Sequence, residues 1–275
     1  MIKIMTKKEL KYPKTSAILL GIIAVICLTA PLWDTDNPTR MILDALNQPP
    51  NKEFIFGTDT LGRDIFSMIW YGGRISIYVG LFATLISTII AMIYGTFSGL
   101  ANNFVDSMMM RAVELLLSIP SILYVISIQA ILGKPTPTSI AIVIGLTSWM
   151  NISKMVRGEV LRVRKSEYVI SAKMMGGKFL YILRKHLFPN FLPAIMFMIV
   201  SNIGQAIATE ATLSFIGIGL PPNAVSWGSL MSLSEKALLT SSWWIIIIPG
   251  LFMVTTLVCI TNLGEYHRRK NNIGQ

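Results

Sequence analysis

The stretch Ile75–Val105, ISIYVGLFATLISTIIAMIYGTFSGLANNFV, carries no charged side chain. A helix needs about 20 apolar residues to cross a hydrocarbon core of ~30 Å, so this segment can span a membrane with residues to spare. Its apolar residues run on continuously and do not alternate with polar ones, which favours a helix over a barrel strand. Hydrocarbon admits only structures that pair their own backbone groups. The expected fold is therefore all-α, a polytopic bundle of membrane-spanning helices.

Five more apolar runs flank this one: Ser16–Leu32, the stretch from after Glu114 to Gly133, then Thr138–Ile152, Pro193–Ile216 and Trp243–Leu263. Pro120 lies near the start of the third span, and Gly133-Lys134-Pro135-Thr136-Pro137 separates it from the fourth. The first run follows a cluster of lysines, as a signal peptide would. Pro31 would follow a cut after Leu28-Thr29-Ala30, so the run reads as an uncleaved anchor. Composition agrees with a membrane protein. Of 275 residues, 53% are hydrophobic and 14% are charged. That is too little charge to coat a soluble domain and too much apolar surface for a disordered chain. Cys27 and Cys259 sit inside apolar runs and read as small buried hydrophobes.

Charge orients the spans. The chain has 24 Lys+Arg against 14 Asp+Glu, a net charge of +10. With the N-terminus inside, segments 1–15, 100–111, 153–192 and 264–275 are cytoplasmic and hold 18 of the 24 cations. The loop 33–74 is then outside and carries six acids. Cations accumulate on the cytoplasmic side of membrane proteins, so both termini are expected there. The basic balance is thus explained by topology and does not call for a nucleic-acid partner.

Residues 153–192 form the one large cytoplasmic loop, with nine of the cations. Val156, Val160 and Val163 recur at helical spacing, which predicts that the fourth span continues out of the membrane. Tyr168–Met175 reads as a second, short helix ended by Gly176 and Gly177. Phe179–Leu187 is a third amphipathic segment, closed by Pro189 and Pro193. Such a loop either lies on anionic lipid or docks a soluble partner.

These residues carry a resemblance. The segment resembles the cytoplasmic loop motif of ABC-importer permeases, a Glu-Ala-Ala triplet followed by a Gly and then Ile-x-Leu-Pro. Here the frame falls on Ile170-Ser171-Ala172, Gly176 and His186-Leu187-Phe188-Pro189. Ala172, Gly176 and Pro189 match in identity and spacing, whereas Ile170 stands in place of the acid. Further stretches are similar to the dipeptide, oligopeptide and nickel permeases of that family. They are Phe56–Asp64, Tyr71–Ser76, Asp106–Arg111 with Glu114 and Ser118–Ser121, Glu210–Leu220, Ser226-Trp227-Gly228 and Asn262–Glu265.

The resemblance implies a non-catalytic permease subunit of an ATP-driven importer in the bacterial cytoplasmic membrane. Residues 1–55 would supply the tail, first helix and start of the outer loop. Residues 56–275 would form the permease domain, with five helices and the coupling loop 153–192. Di- or oligopeptides are the expected cargo, with nickel or a metal chelate as the alternative. The implied partners are a second homologous permease, two cytoplasmic ATPases, an extracytoplasmic binding protein and membrane lipid. ATP and Mg would be bound by the ATPases, with no cofactor or metal in this chain. No G-x-x-x-x-G-K-[ST] loop occurs, since Gly176-Gly177-Lys178-Phe179 lacks its first glycine and its Ser/Thr.

The candidate ATPase-docking residues are Tyr168, Ile170, Ser171, Ala172, Gly176, Gly177, His186, Phe188 and Pro189. Glu210 lies in the outer half of the fifth span, before Phe215, Gly217 and Gly219. An acid at membrane depth defaults to a functional reading. Glu210 reads either as a gate or pathway group or as a buried structural hydrogen-bond acceptor. Asp59, Arg63 and Asp64 read either as a binding-protein contact or as local turns and ion pairs. Glu114 reads as a one-turn pair with Arg111, and Met108–Met110 as packing. Two other classes fit less well. An intramembrane enzyme would need catalytic groups that His186 and His267, both cytoplasmic, do not provide. An ion-coupled carrier would be expected to show internal repeats and would not need the loop 153–192.

Overall fold

A computed structural model describes residues 12–34, 37–176, 188–221 and 223–273. The helices are α1 (Lys14–Trp33), α2 (Ile65–Leu100), α3 (Asn103–Leu117), α4 (Ser121–Leu132), α5 (Pro137–Val163), α6 (Glu167–Met174), α7 (Phe188–Phe215), α8 (Trp227–Ser232), α9 (Ser234–Leu239) and α10 (Trp243–Ile273). Among the described residues the only other regular elements are a short 3-10 turn, Leu43–Ala45, and a bridge between Thr58 and Asp64. Helices α1, α2, α5, α7 and α10 are each long and apolar enough to cross a membrane. Helices α3 and α4 together supply a sixth length, bent by 84°.

That bend divides the expected third span, one run from after Glu114 to Gly133. Pro120 lacks an N–H and disfavours helical geometry in the residue before it, so α3 cannot run on through Ile119. The Ser118 hydroxyl donates back to the Leu115 carbonyl at 2.7 Å, and α4 starts one residue after the proline. Pro189 and Pro193 also differ from expectation. Both lie within α7 and do not precede it. Pro189 occupies the first turn, where its missing N–H has no intrahelical partner to lose.

Other ends follow local chemistry. Asp64 caps α2 by accepting from the N–H groups of Phe66 and Ser67, at 3.3 and 3.0 Å. Thr136 and Ser139 form a reciprocal capping box on α5, with Pro137 at its first position. α5 has 27 residues. At 1.5 Å per residue it is about 40 Å long, so it extends past a ~30 Å core as expected.

The core is organised around α2, which packs most extensively on α5. Small residues set the approach. A Cβ added to Gly95 would lie 2.5 Å from the Ser153 carbonyl oxygen, and one on Gly99 2.9 Å from Val160. Gly145 on α5 returns the contact, where a Cβ would lie 2.9 Å from the Ala83 carbonyl oxygen. Such seams let helix backbones approach closely in lipid. The opposite face of α2 presents Leu81, Leu85, Ile89, Ile93 and Phe97, one every fourth residue and all at least half exposed. α7 crosses α2 at Gly80, and Asn202 donates to Ser87 Oγ at 2.8 Å. α1 packs Ile23, Cys27 and Ala30 against a cluster with Trp227, Trp244 and Ile245. Both cysteines are free and buried.

The seam makes one prediction. Gly95→Leu drives a side chain into the α5 backbone and is expected to cost at least about 1–3 kcal/mol. Gly158→Ala on α5 faces open space and should be neutral or mildly stabilising. Thermal unfolding of the two purified variants in detergent checks this, with a lowered midpoint for Gly95→Leu alone.

Candidate functional site

Three regions gather the residues singled out from the sequence, and a fourth emerges only from the structure. At one end of the bundle, α5 runs to Val163, turns through Arg164-Lys165-Ser166 and enters α6. Val169 and Ala172 are buried against Val160, Val163 and Ile195, so α6 sits on the ends of α5 and α7. Its outer side presents Tyr168, Ile170, Met174 and Met175, the last two more than four-fifths exposed. Ser171 is also exposed. Gly176 follows at φ +79° with open space where a side chain would be, so it ends α6 in the left-handed conformation the sequence predicts. Phe188 and Pro189 begin the backbone of α7. Gly177 and His186, like the expected segment Phe179–Leu187, lie outside the described residues.

The root of this extension is clamped. Arg157 on α5 donates through Nε and Nη2 to both oxygens of Asp106 on α3, each at 2.5 Å. Ser98 of α2 donates to the same carboxylate at 2.6 Å, and Arg164 donates to the Gly99 carbonyl at 2.6 Å. A bidentate guanidinium–carboxylate pair fixes direction as well as distance. Here it ties three helices at one point. Glu114 lies 3.8 Å from Lys154 of α5, an exposed pair across helices in place of the expected one-turn pair with Arg111. Its energetic worth is small.

Glu210 is fully buried on α7. Ser226 and Ser214 donate to its Oε1 at 2.7 and 2.9 Å, and Ser76 of α2 donates to Oε2 at 3.4 Å. The Ser76 hydroxyl in turn accepts from the Trp227 N–H at 3.1 Å, while Trp227 Nε1 donates to the Ile69 carbonyl at 2.9 Å. One carboxyl group thus joins α2, α7 and the short α8. Gly219 packs so tightly on Ser214 that a Cβ would overlap its backbone and hydroxyl. Gly217 has φ +84° and open surroundings, and Phe215 is 58% exposed. Glu210 and Gly219 therefore belong to one network, and Phe215 and Gly217 lie on the exposed turn beside it. The three serines were visible in the motif stretches. Only the fold shows that they converge on one carboxyl group.

In the loop between α1 and α2, Asp59 has no exposed surface and Arg63 is 5% exposed. Arg63 Nε donates to Asp59 Oδ2 at 2.7 Å, and the N–H groups of Leu61 and Arg63 donate to Oδ1 at 2.9 Å. Asp64 is occupied in capping α2. Trp244 of α10 donates to the Thr58 carbonyl at 3.0 Å, anchoring the same turn to the bundle.

The fourth region is a cleft of about 480 Å3 between the α3–α4 bend, α5 and α7. Pro120, Ser148, Asn151, Ser201, Gln205 and Thr209 line it, and none of its described lining side chains is charged. Amides and hydroxyls recur at helical spacing on α7 (201, 205, 209), a signal present in the sequence and obscured there by the apolar residues between.

Comparison with known proteins identifies the architecture. Residues 91–272 match the family described as the binding-protein-dependent transport system inner membrane component. This chain belongs to that family. The dipeptide transport system permease protein DppC of Bacillus subtilis is 34% identical over 94% of this chain and 80% of its own length. The oligopeptide transport system permease protein OppC of the same organism is 36% identical over 92% of this chain and 81% of its own. An inward-facing structure of the MetNI methionine ABC transporter matches with TM-score 0.62 at 15% identity. It covers 74% of this chain and 95% of that one, and shows a shared fold.

The Glu210 network predicts distinct outcomes for two substitutions in this permease. Glu210→Gln keeps an acceptor for Ser226 and Ser214 and should leave the folded chain intact. Glu210→Ala strands buried hydroxyls at roughly 1–3 kcal/mol for each left unpaired. Thermal scans of both variants should show a lowered midpoint for Glu210→Ala only.

Proposed function

We propose that this chain is the permease subunit of an ATP-driven importer that carries di- or oligopeptides across the bacterial cytoplasmic membrane. Family membership supports the transport role, and the names of the two Bacillus relatives support peptides. The observation that carries the cargo reading is the neutral cleft. Its amides and hydroxyls can donate to and accept from a peptide backbone whatever the side chains, while adding no charge that would select among peptides. Leu116 and Ile119 of its lining are exposed, which suits closure by a second, homologous permease.

Counting α3–α4 as one crossing puts both termini on the same side, the cytoplasmic one by the distribution of cations. Residues 56–275 then act as the transport domain, with 1–55 attached through the α1 contacts. Two cytoplasmic ATPases, which bind the ATP and Mg, dock on α6 and the loop that follows it. Exposed Met174 and Met175 suit such a surface, since methionine adapts to a partner's contour. Gly177, His186, Phe188 and Pro189 complete that surface in this reading. The extracytoplasmic binding protein meets the outer loop, whose shape Asp59, Arg63 and Asp64 hold from within. Glu210 acts with Phe215, Gly217 and Gly219 as the fixed side of an outer gate, holding α8 against α2 while the exposed turn 215–217 moves.

Reconstitution into vesicles with the partner permease, ATPases and binding protein tests this. ATP-dependent uptake of a labelled dipeptide or oligopeptide is expected. Uptake of a nickel chelate and of no peptide would contradict it. Gly176→Val forces a β-branched residue into a left-handed conformation, at about 1–2 kcal/mol. The assembled variant should hydrolyse ATP without stimulation by the loaded binding protein, and normal stimulation would count against docking at α6.

A further inference from the structure

A second cavity, of about 750 Å3, shares no lining residue with the cleft. It lies between α1 and α2, at the end of α2 remote from α6. Leu28 of α1 and Tyr78, Leu81 and Leu85 of α2 form its walls, and Arg74 and Asn223 stand among its few polar lining groups. The wall residues are 41–59% exposed, so the groove opens sideways from the bundle.

Depth and charge are ordered along it. Arg74 lies in the third turn of α2, just before the uncharged run that begins at Ile75 and one turn from Trp70 and Tyr71, which meet the end of α1. From Arg74 to Leu85 is eleven residues of helix. At 1.5 Å each they cover about 16 Å, half of a ~30 Å hydrocarbon core. The groove is therefore one leaflet deep, with its cation at the interface and its apolar walls beneath. Arg74 is exposed, and among the described residues no hydrogen bond or ion pair engages its guanidinium. A guanidinium fork matches phosphate geometry.

The walls are held in place before anything binds. Tyr71 donates to the Asp34 carbonyl at 2.7 Å, tying the end of α1 to α2. Trp33 packs edge-on against Phe66 and Trp70, with centroids 6.0 and 6.4 Å away. Tyr78 stacks on Phe82 at 5.6 Å. Mobile lipid tails could wet any apolar face. A fixed groove of leaflet depth with an exposed cation at its mouth is matched to one molecule.

We infer that this groove binds a single glycerophospholipid from the leaflet remote from α6, with an acyl chain between α1 and α2 and the phosphate on Arg74. The bound lipid fills the gap left where α1 departs from α2, and makes the packing of α1 depend on the composition of that leaflet. The alternative occupant of the same face is a neighbouring permease subunit.

Native mass spectrometry of the assembled transporter, titrated with phosphatidylglycerol, tests the inference. Arg74→Gln removes the phosphate contact and Leu85→Trp fills the acyl groove. Each should weaken retention of one phosphatidylglycerol by about ten-fold, and Arg74→Lys should retain most of it. Both altered positions are exposed, so thermal midpoints of the lipid-free variants should match the wild type. Equal phosphatidylglycerol adducts in the wild type, Arg74→Gln and Leu85→Trp would overturn the inference. So would a cross-link from Leu81→Cys to a neighbouring permease subunit in the assembled complex.

Discussion

Lipid tails are as apolar as leucine, so membrane helices gain little by hiding apolar side chains from them. What holds this bundle together is how closely α2 and α5 can approach. Gly95 and Gly99 on one helix and Gly145 on the other leave no room for a Cβ, and the backbones meet there. The contact depends on close packing along the whole seam, so the pair has one good register. α5 therefore cannot move far without taking α2 with it. Because α5 is also the helix that extends out of the core to carry α6, displacement of α6 reaches the membrane as movement of the α2–α5 pair.

Two kinds of polar group stand out inside the bundle. Some are closed among themselves. Glu210 is satisfied by three serines, Asn202 by Ser87, and Asp106 by Arg157 and Ser98. A buried polar group without a partner is expensive in hydrocarbon, so a satisfied network fixes the geometry of the elements that meet in it. The others, Asn151, Ser201 and Gln205 among them, face the cleft beside the α3–α4 bend. The closed networks hold the scaffold on which the open set is displayed. The bend made by Pro120 places α3 and α4 on the wall of that cleft.

Much of this was legible in the sequence, and what was not has physical causes. Long uncharged runs and the Gly176 stop depend on local rules, and α1, α6 and α7 lie within about five residues of expectation, whereas α2 begins ten residues earlier and α10 ends ten residues later than the apolar runs indicate. The 84° bend was missed because apolar composition runs straight through Ser118–Pro120, and hydropathy does not register a lost N–H. Among the partners of Glu210, Ser214 lies one helical turn away, but Ser76 and Ser226 come from other elements, and no spacing rule connects them to it. Arg157 and Asp106 were likewise visible only as one cation and one acid in separate stretches. The cleft was hidden because its polar residues occupy one face of helices that are otherwise apolar.

The central claim is that α2 and α5 move as one rigid body. Spin labels at Ile93 on α2 and Met155 on α5, 68% and 38% exposed, allow their separation to be measured by pulsed electron resonance in the reconstituted transporter. Comparing the nucleotide-free and ATP-trapped states, the seam predicts one unchanged distance distribution, while a label pair from Ile131 on α4 to Met155 shifts. A distribution for Ile93–Met155 that moves or splits on ATP binding would contradict the rigid pair.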